Sequence, residues 1–487
     1  MNPNENIAST YWQTIWKQFN KHITGKIGLL IIALFTLVGI YAPFLASSKP
    51  LIVQYEGGWY FPLFKYLFFT GFYTKHLDIF FNLLIFTFPF YILALLLFHK
   101  TKKAINLSTV IFSVIQCSLF LYLIAYPVKD PASDPSLTLA RRTALKGKSV
   151  EPTWAFDTQW MNDYAKLNLV LRYKLRQQQH EKLQSLLKTD QKLATLWQTD
   201  YDNEQRIVER LKAQGNTEAL KWYTDRQAWL EQQSQKINFM VMPLIRDFHW
   251  EDDAGGDSTL NHLLPFYELT RINRKDFLSA LIFGVRVSLV VGIIAVAISL
   301  AIGIPVGAAA GYFGGTADII ISRFLEIWEA MPSFLMLLMI VAIAQSKSIF
   351  LVISVIGLFG WTGFSRYIRA EFLKQRNLSY VEACHSLGFG NSRIIFGHIL
   401  PNAIPPLLTL LPFAVMGAVS SEAGLSFLGL GEEGSCSWGV LMDEGRSVFP
   451  GESYLLWPPA LLLTILLIAT ALVGDALRDA FDPKMHR

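Results

Sequence analysis

Tyr380-Val381-Glu382-Ala383-Cys384-His385-Ser386-Leu387-Gly388, followed after five residues by Ile394-Ile395-Phe396-Gly397-His398-Ile399-Leu400-Pro401-Asn402, is the stretch from which the rest of the chain can be read. Small side chains at Ala383, Cys384 and Ser386 leave one surface of a short helix low. Gly388 can end or bend that helix, because glycine adopts left-handed backbone angles without steric cost. Pro401 suits a first helical turn, where its missing N–H is no loss, and predicts that the next membrane helix begins there. A short helix of this build can seat in a cleft on another protein; the bland alternative is a connector with accidental small residues.

Working outward, mainly apolar runs long enough to cross about 30 Å of hydrocarbon recur along the chain. They fall at 28–46, 77–98, 105–126, 281–310, 330–345, 348–366, 403–428 and 456–474, which makes about eight spans. The composition agrees: 52% of the residues are hydrophobic and only 17% charged, a balance rare in soluble domains of this size. The first run follows Lys17, Lys21 and Lys26 and continues into Tyr41-Ala42-Pro43-Phe44-Leu45 without a small-residue cleavage site, so an uncleaved anchor is expected. Short basic loops at Lys100/Lys102/Lys103, Arg366/Arg369/Lys374/Arg376/Arg393 and Lys484/Arg487 place both termini in the cytoplasm by the positive-inside rule. The loop after 403–428 carries Glu432, Glu433, Asp443 and Glu444 with a lone Arg446, which suits the outer side. This orientation, with the acids of the polar region, accounts for the net charge of +5 and excludes a nucleic-acid partner. Cys117, Cys384 and Cys436 fall in a span, the inner loop and the outer loop, so they do not pair, and no metal-ligand spacing exists.

Between about 129 and 275 the composition turns polar, with Pro127, Pro131 and Pro135 at the junction. Leu167, Val170, Leu171 and Leu175, then Leu183, Leu186 and Leu187, and later Ile207, Val208 and Leu211 repeat near a helical period. Gly215-Asn216 and Ala254-Gly255-Gly256-Asp257 read as turns. The expectation is a helical extracytoplasmic insert, a small bundle or long hairpin, and its interleaved charges read as a solvated face. Its place beside the pore suggests docking of a binding protein or of a partner permease. The organisation expected is thus 1–48, cytoplasmic N-terminus and first span; 49–76, a periplasmic segment; 77–128, two extra spans; 129–275, the insert; and 276–487, the core with its loop.

The stretch at 380–402 resembles the EAA loop of ABC importer permeases, a cytoplasmic loop in which Glu-Ala-Ala, a glycine and a terminal Ile-Leu-Pro recur at this spacing. Cys384, where the third small residue is generally alanine, is its one departure. The resemblance continues through Ser288-Leu289, Ile304-Pro305-Val306-Gly307 and Gly311-Tyr312-Phe313-Gly314-Gly315. It extends to Leu425-Ser426-Phe427-Leu428-Gly429-Leu430-Gly431, Ser437-Trp438-Gly439 and Gly474-Asp475-Ala476-Leu477-Arg478-Asp479-Ala480-Phe481-Asp482-Pro483. These segments are similar to the C-type permease subunit of dipeptide and oligopeptide importers. Lys49-Pro50-Leu51-Ile52-Val53 and Gly58-Trp59-Tyr60-Phe61-Pro62-Leu63 look like the branch that includes microcin C and oligopeptide importers of Gram-negative bacteria. Two features depart from that pattern: Arg271-Ile272-Asn273-Arg274-Lys275-Asp276-Phe277 stands where Gly-Thr-Asp and Gly-Arg-Asp are expected, and the spans at 77–98 and 105–126 with the insert are additional.

The resemblance implies an all-helical integral membrane protein with a type I ABC importer permease core, in which 28–46 supplies the first of six core spans. It implies a homologous second permease, two ATPase subunits or domains that bind ATP and magnesium, a periplasmic binding protein, and a bacterial inner membrane setting. Glu382, Ala383, Cys384, Gly388, Ile399 and Pro401 are the residues it assigns to ATPase coupling. No Gly-x-x-x-x-Gly-Lys-Ser/Thr sequence follows a strand, so the chain itself is not expected to bind ATP or any cofactor. The small residues of 303–315 instead predict close helix packing. His249, His262, His385 and His398 are isolated, and no Ser-His-Asp or paired-carboxylate site emerges.

Ionisable groups in hydrocarbon need partners or water. Arg323, Glu326 and Glu329, before Met331-Pro332, are candidate pore or gate residues, or else form intrahelical pairs at spacing three and snorkel to the inner boundary. Glu422 is deeper: it faces the translocation path or makes a hydrogen bond at a subunit interface. Two other classes of function stay open, a membrane-anchored envelope scaffold and a channel or secondary transporter that works without an ATPase. Within the importer class, nickel-chelate or antimicrobial-peptide uptake are alternatives to peptide uptake.

Overall fold

A backbone in hydrocarbon has no water to bond, so apolar runs of spanning length close their hydrogen bonds within helices. The computed structural model describes residues 11–47, 49–70, 75–98, 102–146, 156–187, 209, 212–213, 215, 217–245, 277–344, 347–432, 435–447, 449–450 and 455–481. In chain order the elements are α1 (Tyr11–Phe19), α2 (Ile23–Leu45), β1 (Ile52–Tyr55), β2 (Gly58–Tyr60), α3 (Pro62–Tyr66), α4 (His76–Phe98) and α5 (Lys102–Ala125). The polar region holds α6 (Pro135–Leu145), α7 (Asp163–Leu187), α8 (Thr217–Ser234) and β3 (Ile237–Val241). The C-terminal part holds α9 (Phe277–Phe313), α10 (Gly315–Ala330), α11 (Ser333–Ala344), α12 (Ile349–Gln375), α13 (Ser379–Ser386), α14 (Asn391–Leu430), α15 (Trp438–Ser447) and α16 (Trp457–Phe481).

Among the described residues seven helices are long and apolar enough to cross a membrane, or eight if a bent pair is one span. That pair corrects the expected span at 330–345. α11 has only 12 residues, about 18 Å of helix at 1.5 Å per residue and too short for the bilayer alone. It follows α10 across a bend of 73°. Pro332 removes an N–H and drives Met331 out of the helical region, to φ −76° and ψ +128°.

The chain divides into two compact units, Met1–Gly39 with Phe283–Arg487, and Ile40–Ile282. In the first, Gly303, Gly307 and Gly311 line up at spacing four along α9 and face the backbone of α12. A Cβ on Gly303 would stand 2.6 Å from the Trp361 carbonyl oxygen, and one on Gly311 would stand 2.7 Å from that of Arg369. This is the close small-residue packing expected for 303–315. Ser299 Oγ adds a 2.8 Å bond to the Gly357 carbonyl across the same helices. The first span belongs with these helices: a Cβ on Gly28 would meet the Ala469 carbonyl of α16 at 2.5 Å. Arg286, fully buried in α9, donates Nε to the Gly39 carbonyl at 2.7 Å.

In the second unit α4 and α5, the two additional spans, form an antiparallel hairpin with polar links. Buried Gln116 donates Nε2 to the Phe80 carbonyl at 3.0 Å and accepts from Thr87 Oγ1 at 2.7 Å, while the Tyr91 and Phe112 rings stack at 4.4 Å. In the polar region Leu167, Val170, Leu171 and Leu175 are buried along α7, as their helical spacing predicts. The insert is not helices alone. Its β3 joins β1 and β2 of the 49–76 segment in a three-stranded antiparallel sheet, in the order β2-β1-β3, where Val53 pairs with both Tyr60 and Met240. The inner sheet residues Val53, Tyr55 and Ile237 pack with Leu167, Val170, Leu171 and Leu230 of α7 and α8. The side chains of Leu183, Leu186 and Leu187, the residues Ile207, Val208 and Leu211, the turn at 254–257, the segment 271–276, His249, His262, Glu433, Lys484 and Arg487 lie outside the described residues.

Tyr55 is 4% exposed and donates its hydroxyl to Gln233 Oε1 at 2.8 Å. Burial first, then the charge of Glu56, pushes its pKa up to about 12. The folded state therefore holds the phenol proton more tightly than the unfolded chain, whose tyrosine ionises near pH 10. Stability is complete below pH 10 and falls as pH rises toward 12, by about 2–3 kcal/mol. Tyr55→Phe is expected to remove that alkaline loss while costing about 1 kcal/mol at neutral pH, because Gln233 loses its donor. Denaturant unfolding of both forms at pH 8 and pH 11 checks this; an equal alkaline loss in the variant would contradict it.

Candidate functional site

The segment between α12 and α14 is built from the core outward. In α13, Val381 and Cys384 are buried in the cluster that also contains Ile368, Phe372, Ile394 and Ile399. Glu382, Ala383, His385, Ser386 and Leu387 form its exposed side, with Leu387 72% exposed. Cys384 therefore supports the helix from within, whereas the sequence reading placed it on the low outer surface with Ala383 and Ser386.

The helix ends on Gly388, whose φ is +73°. The Gly388 N–H bonds the His385 carbonyl and the Phe389 N–H bonds the Cys384 carbonyl, each at 3.0 Å. That is the Schellman pattern, which satisfies the last carbonyls and turns the chain sharply. Nothing lies within 4 Å of a Cβ built at Gly388, so the backbone angle rather than space selects glycine. Phe389 then anchors the turn, stacked on His398 at 5.7 Å with the Arg393 guanidinium 4.2 Å from its ring centre.

Pro401 does not begin the next helix. α14 starts at Asn391 and passes through a π turn at Ile395–Ile399, where the Leu400 N–H reaches back to the Ile395 carbonyl. The wider turn lets a residue without an N–H follow, and the helix continues. Ile399 is buried and Pro401 exposed. Sequence reasoning missed what ties this segment to α9. Tyr312 at the end of α9 donates its hydroxyl to Asn391 Oδ1 at 2.9 Å, and its ring stacks on His385 at 6.3 Å. The signal was present, since Tyr312 stood in the Gly-rich segment, yet nothing local to it names a partner 79 residues away.

The charges of α10 are paired. Arg323 Nη1 meets Glu326 at 2.5 Å, the expected spacing-three pair, and both side chains are exposed. Glu329 pairs instead with Arg366 of α12. Asp318 takes both arms of Arg369, Nη2 to Oδ2 at 2.7 Å and Nε to Oδ1. Arg366 and Arg369 read from sequence as orientation signals, and in the fold they also bind α10 to α12.

Glu422 is 1% exposed in α14. Its Oε1 accepts from Ser426 Oγ at 2.7 Å and from Ser437 Oγ at 2.6 Å. These partners lie in its own chain, so the carboxyl clasps the segment leading into α15 rather than standing open to a path or to a neighbouring subunit. Glu422→Gln retains an acceptor and is expected to shift stability by less than about 1 kcal/mol. Glu422→Ala orphans two buried hydroxyls and opens a void, at about 2–4 kcal/mol. Thermal unfolding in detergent checks the contrast; equal midpoints for the two variants would refute the clasp. The three cysteines form no disulfide, with Cys117 exposed and Cys384 and Cys436 buried.

Comparisons with known proteins bear on the same region. Residues 303–487 match the family described as the inner membrane component of binding-protein-dependent transport systems. Residues 10–57 match the N-terminal TM domain of oligopeptide transport permease C. The chain is 39% identical over 211 residues to the peptidoglycan transport system permease protein YejE of Agrobacterium fabrum, covering 43% of this chain and 55% of that one. It is 35% identical over 215 residues to the inner membrane ABC transporter permease protein YejE of Escherichia coli, covering 44% and 62%. These two matches span less than two thirds of the relatives' own length. The oligopeptide transport system permease protein OppC of Haemophilus influenzae is 34% identical over 251 residues, which are 51% of this chain and 80% of that one. With identity at that level over most of an oligopeptide permease, and with the capped helix and close-packed spans in place, the chain belongs to the family of binding-protein-dependent transport system inner membrane components.

Proposed function

We propose that this chain is one permease subunit of an ATP-driven importer for peptides or peptide-like solutes. The observation that carries the reading is α13: a short helix held from below by Val381 and Cys384, capped at Gly388, and exposing Glu382, Ala383 and Ser386 between two long helices. Such a helix moves as a piece with what it is packed on, so force applied to its exposed side passes to α12, α14 and, through Tyr312, α9. In this reading two ATPase subunits or domains bind ATP and magnesium and press on α13. A homologous permease completes the pathway, and a periplasmic binding protein delivers solute. ATP binding opens the cavity outward, hydrolysis resets it inward, and this chain performs no chemistry.

The relatives support the solute class, since their names speak of peptidoglycan and oligopeptide transport. In this reading the chain lies in the bacterial inner membrane with both termini in the cytoplasm, an orientation that the short basic loops support. Arg323, Glu326 and Glu329 are the candidate pore or gate residues, because charges this exposed on a membrane helix face water or a partner chain.

Co-purification of co-expressed ATPase subunits tests the reading. The wild-type chain is expected to retain them and Ala383→Arg, which raises the low surface with a long charged side chain, to lose them. A wild-type chain that captures no ATPase, or a variant that captures it equally, would overturn it.

A further inference from the structure

One face of the β2-β1-β3 sheet packs on α7 and α8, and the other carries aromatic rings that are exposed among the described residues. Val53 and Tyr55 point inward, so Gln54 between them points out; it pairs with Trp59 on one side and Phe239 on the other. The two rings meet across it at 6.0 Å. Trp59 is 56% exposed, Phe239 48% and Phe61, two residues beyond Trp59, 45%.

Several links, all within the unit Ile40–Ile282, set the level of this face. The Ile245 N–H, four residues after β3, bonds the Leu45 carbonyl at 2.9 Å, and the Ser47 N–H bonds the Ile245 carbonyl at 3.3 Å. β1 begins seven residues after Leu45. In α3, Phe64 meets Phe44 of the last α2 turn at 5.8 Å and Phe61 at 6.5 Å.

The sheet is thus fastened to the end of a membrane span. In the last turns of α2, within the same unit, the Tyr41 and Phe44 rings meet at 6.4 Å. From Phe44 the ring contacts run through Phe64 to Phe61, beside the exposed face. At the far end of the strands the surface turns polar, with Lys236 and Glu56 paired at 2.7 Å.

We propose that this aromatic face lies in the membrane–water boundary at the Leu45 end of α2, with phospholipid headgroups and upper acyl chains as its partner. Tryptophan settles at that depth with its N–H toward the headgroups, phenylalanine accompanies it on interfacial apolar faces, and a face fastened to the end of a span reaches that depth without rearrangement. The lipid then bears on the insert as a surface and fixes its tilt, which goes beyond a transport role for the core.

The test uses the full chain in nanodiscs of phosphatidylcholine and phosphatidylglycerol, with its three cysteines replaced by alanine. A nitroxide is attached at Trp59→Cys, Phe239→Cys or, as the aqueous reference, Lys236→Cys. Collision with oxygen, which concentrates in lipid, is expected to exceed collision with a water-soluble nickel chelate at 59 and 239, with the ratio reversed at 236. The two labels sit on different strands, so a variant that fails to fold leaves the other to report. Nickel accessibility at 59 and 239 equal to that at 236 would overturn the proposal. So would protection that arises only when a binding protein or second permease is added, which would assign the face to a protein.

Discussion

Gly388→Val is expected to cut ATP-dependent uptake at least about tenfold while leaving the chain folded in the membrane. The reasoning starts from the backbone angle: φ of +73° is one that valine cannot adopt without strain. The cost of a left-handed residue is about 1–2 kcal/mol for an ordinary side chain and more for a β-branched one. That strain falls on the two bonds of the cap, so the last turn of α13 frays and Phe389 leaves its place on His398. A frayed lever still lies at the surface but transmits force poorly, and 1.4 kcal/mol is already a factor of ten in the population of the ordered form. The core of the unit, which α13 touches through Val381, Cys384 and the edge of Tyr380, should unfold at nearly the wild-type temperature. Uptake and thermal unfolding measured together check this; normal uptake by the variant would show that the capped geometry is not needed.

Gly307→Leu should have the larger effect on the molecule itself. A Cβ at this position falls on the Ser365 carbonyl, with the Cα and carbonyl carbon of the same residue 3.0 Å away. Backbone cannot rotate aside as a flexible side chain does, so α9 and α12 must separate, and with them Gly303, Gly311 and the Ser299 bond. Overpacking of this kind costs about 1–3 kcal/mol when side chains can give way and more when they cannot. The expected outcome is a chain that accumulates poorly or loses its cooperative thermal transition. Gly363→Ala is the control on the same helix α12: nothing lies within 4 Å of its Cβ, and alanine is the better helix former. Equal stability of Gly307→Leu and the wild type would contradict the close-packing account.

These features differ in how far they could be read from sequence. The spans were legible because their signal, about twenty apolar residues, is local and set by bilayer thickness. Close packing at 303–315 was legible because glycines at spacing four mark one helix face whatever lies opposite. The capped helix at 379–388 was legible for the same reason, since Gly388 acts through its own backbone. Which side of that helix Cys384 occupies was not, because a small residue fits a core as well as a contact surface, and only the packing of Val381 distinguishes the two.

Glu422 shows the same limit. Its depth in an apolar run was visible, but Ser437 lies 15 residues on, and only the folded return of the loop brings it to the carboxyl. The sheet was invisible for a related reason. β1 and β3 are short, they are separated by more than 180 residues, and helical periodicity between them dominates the pattern. Pro401 misled because a proline marks a helix start only when the preceding turn is not helical; here the π turn carries the helix past it. The broken span at Met331–Pro332 had a local cause that length alone concealed.

The most direct test of the account is uptake of a labelled oligopeptide by proteoliposomes containing this chain with its co-expressed permease and ATPase subunits, binding protein being present on the uptake side. The account predicts accumulation that requires ATP and magnesium on the ATPase side and is lost with Ala383→Arg. Equal flux without the ATPase subunits, or accumulation unaffected by that substitution, would contradict it.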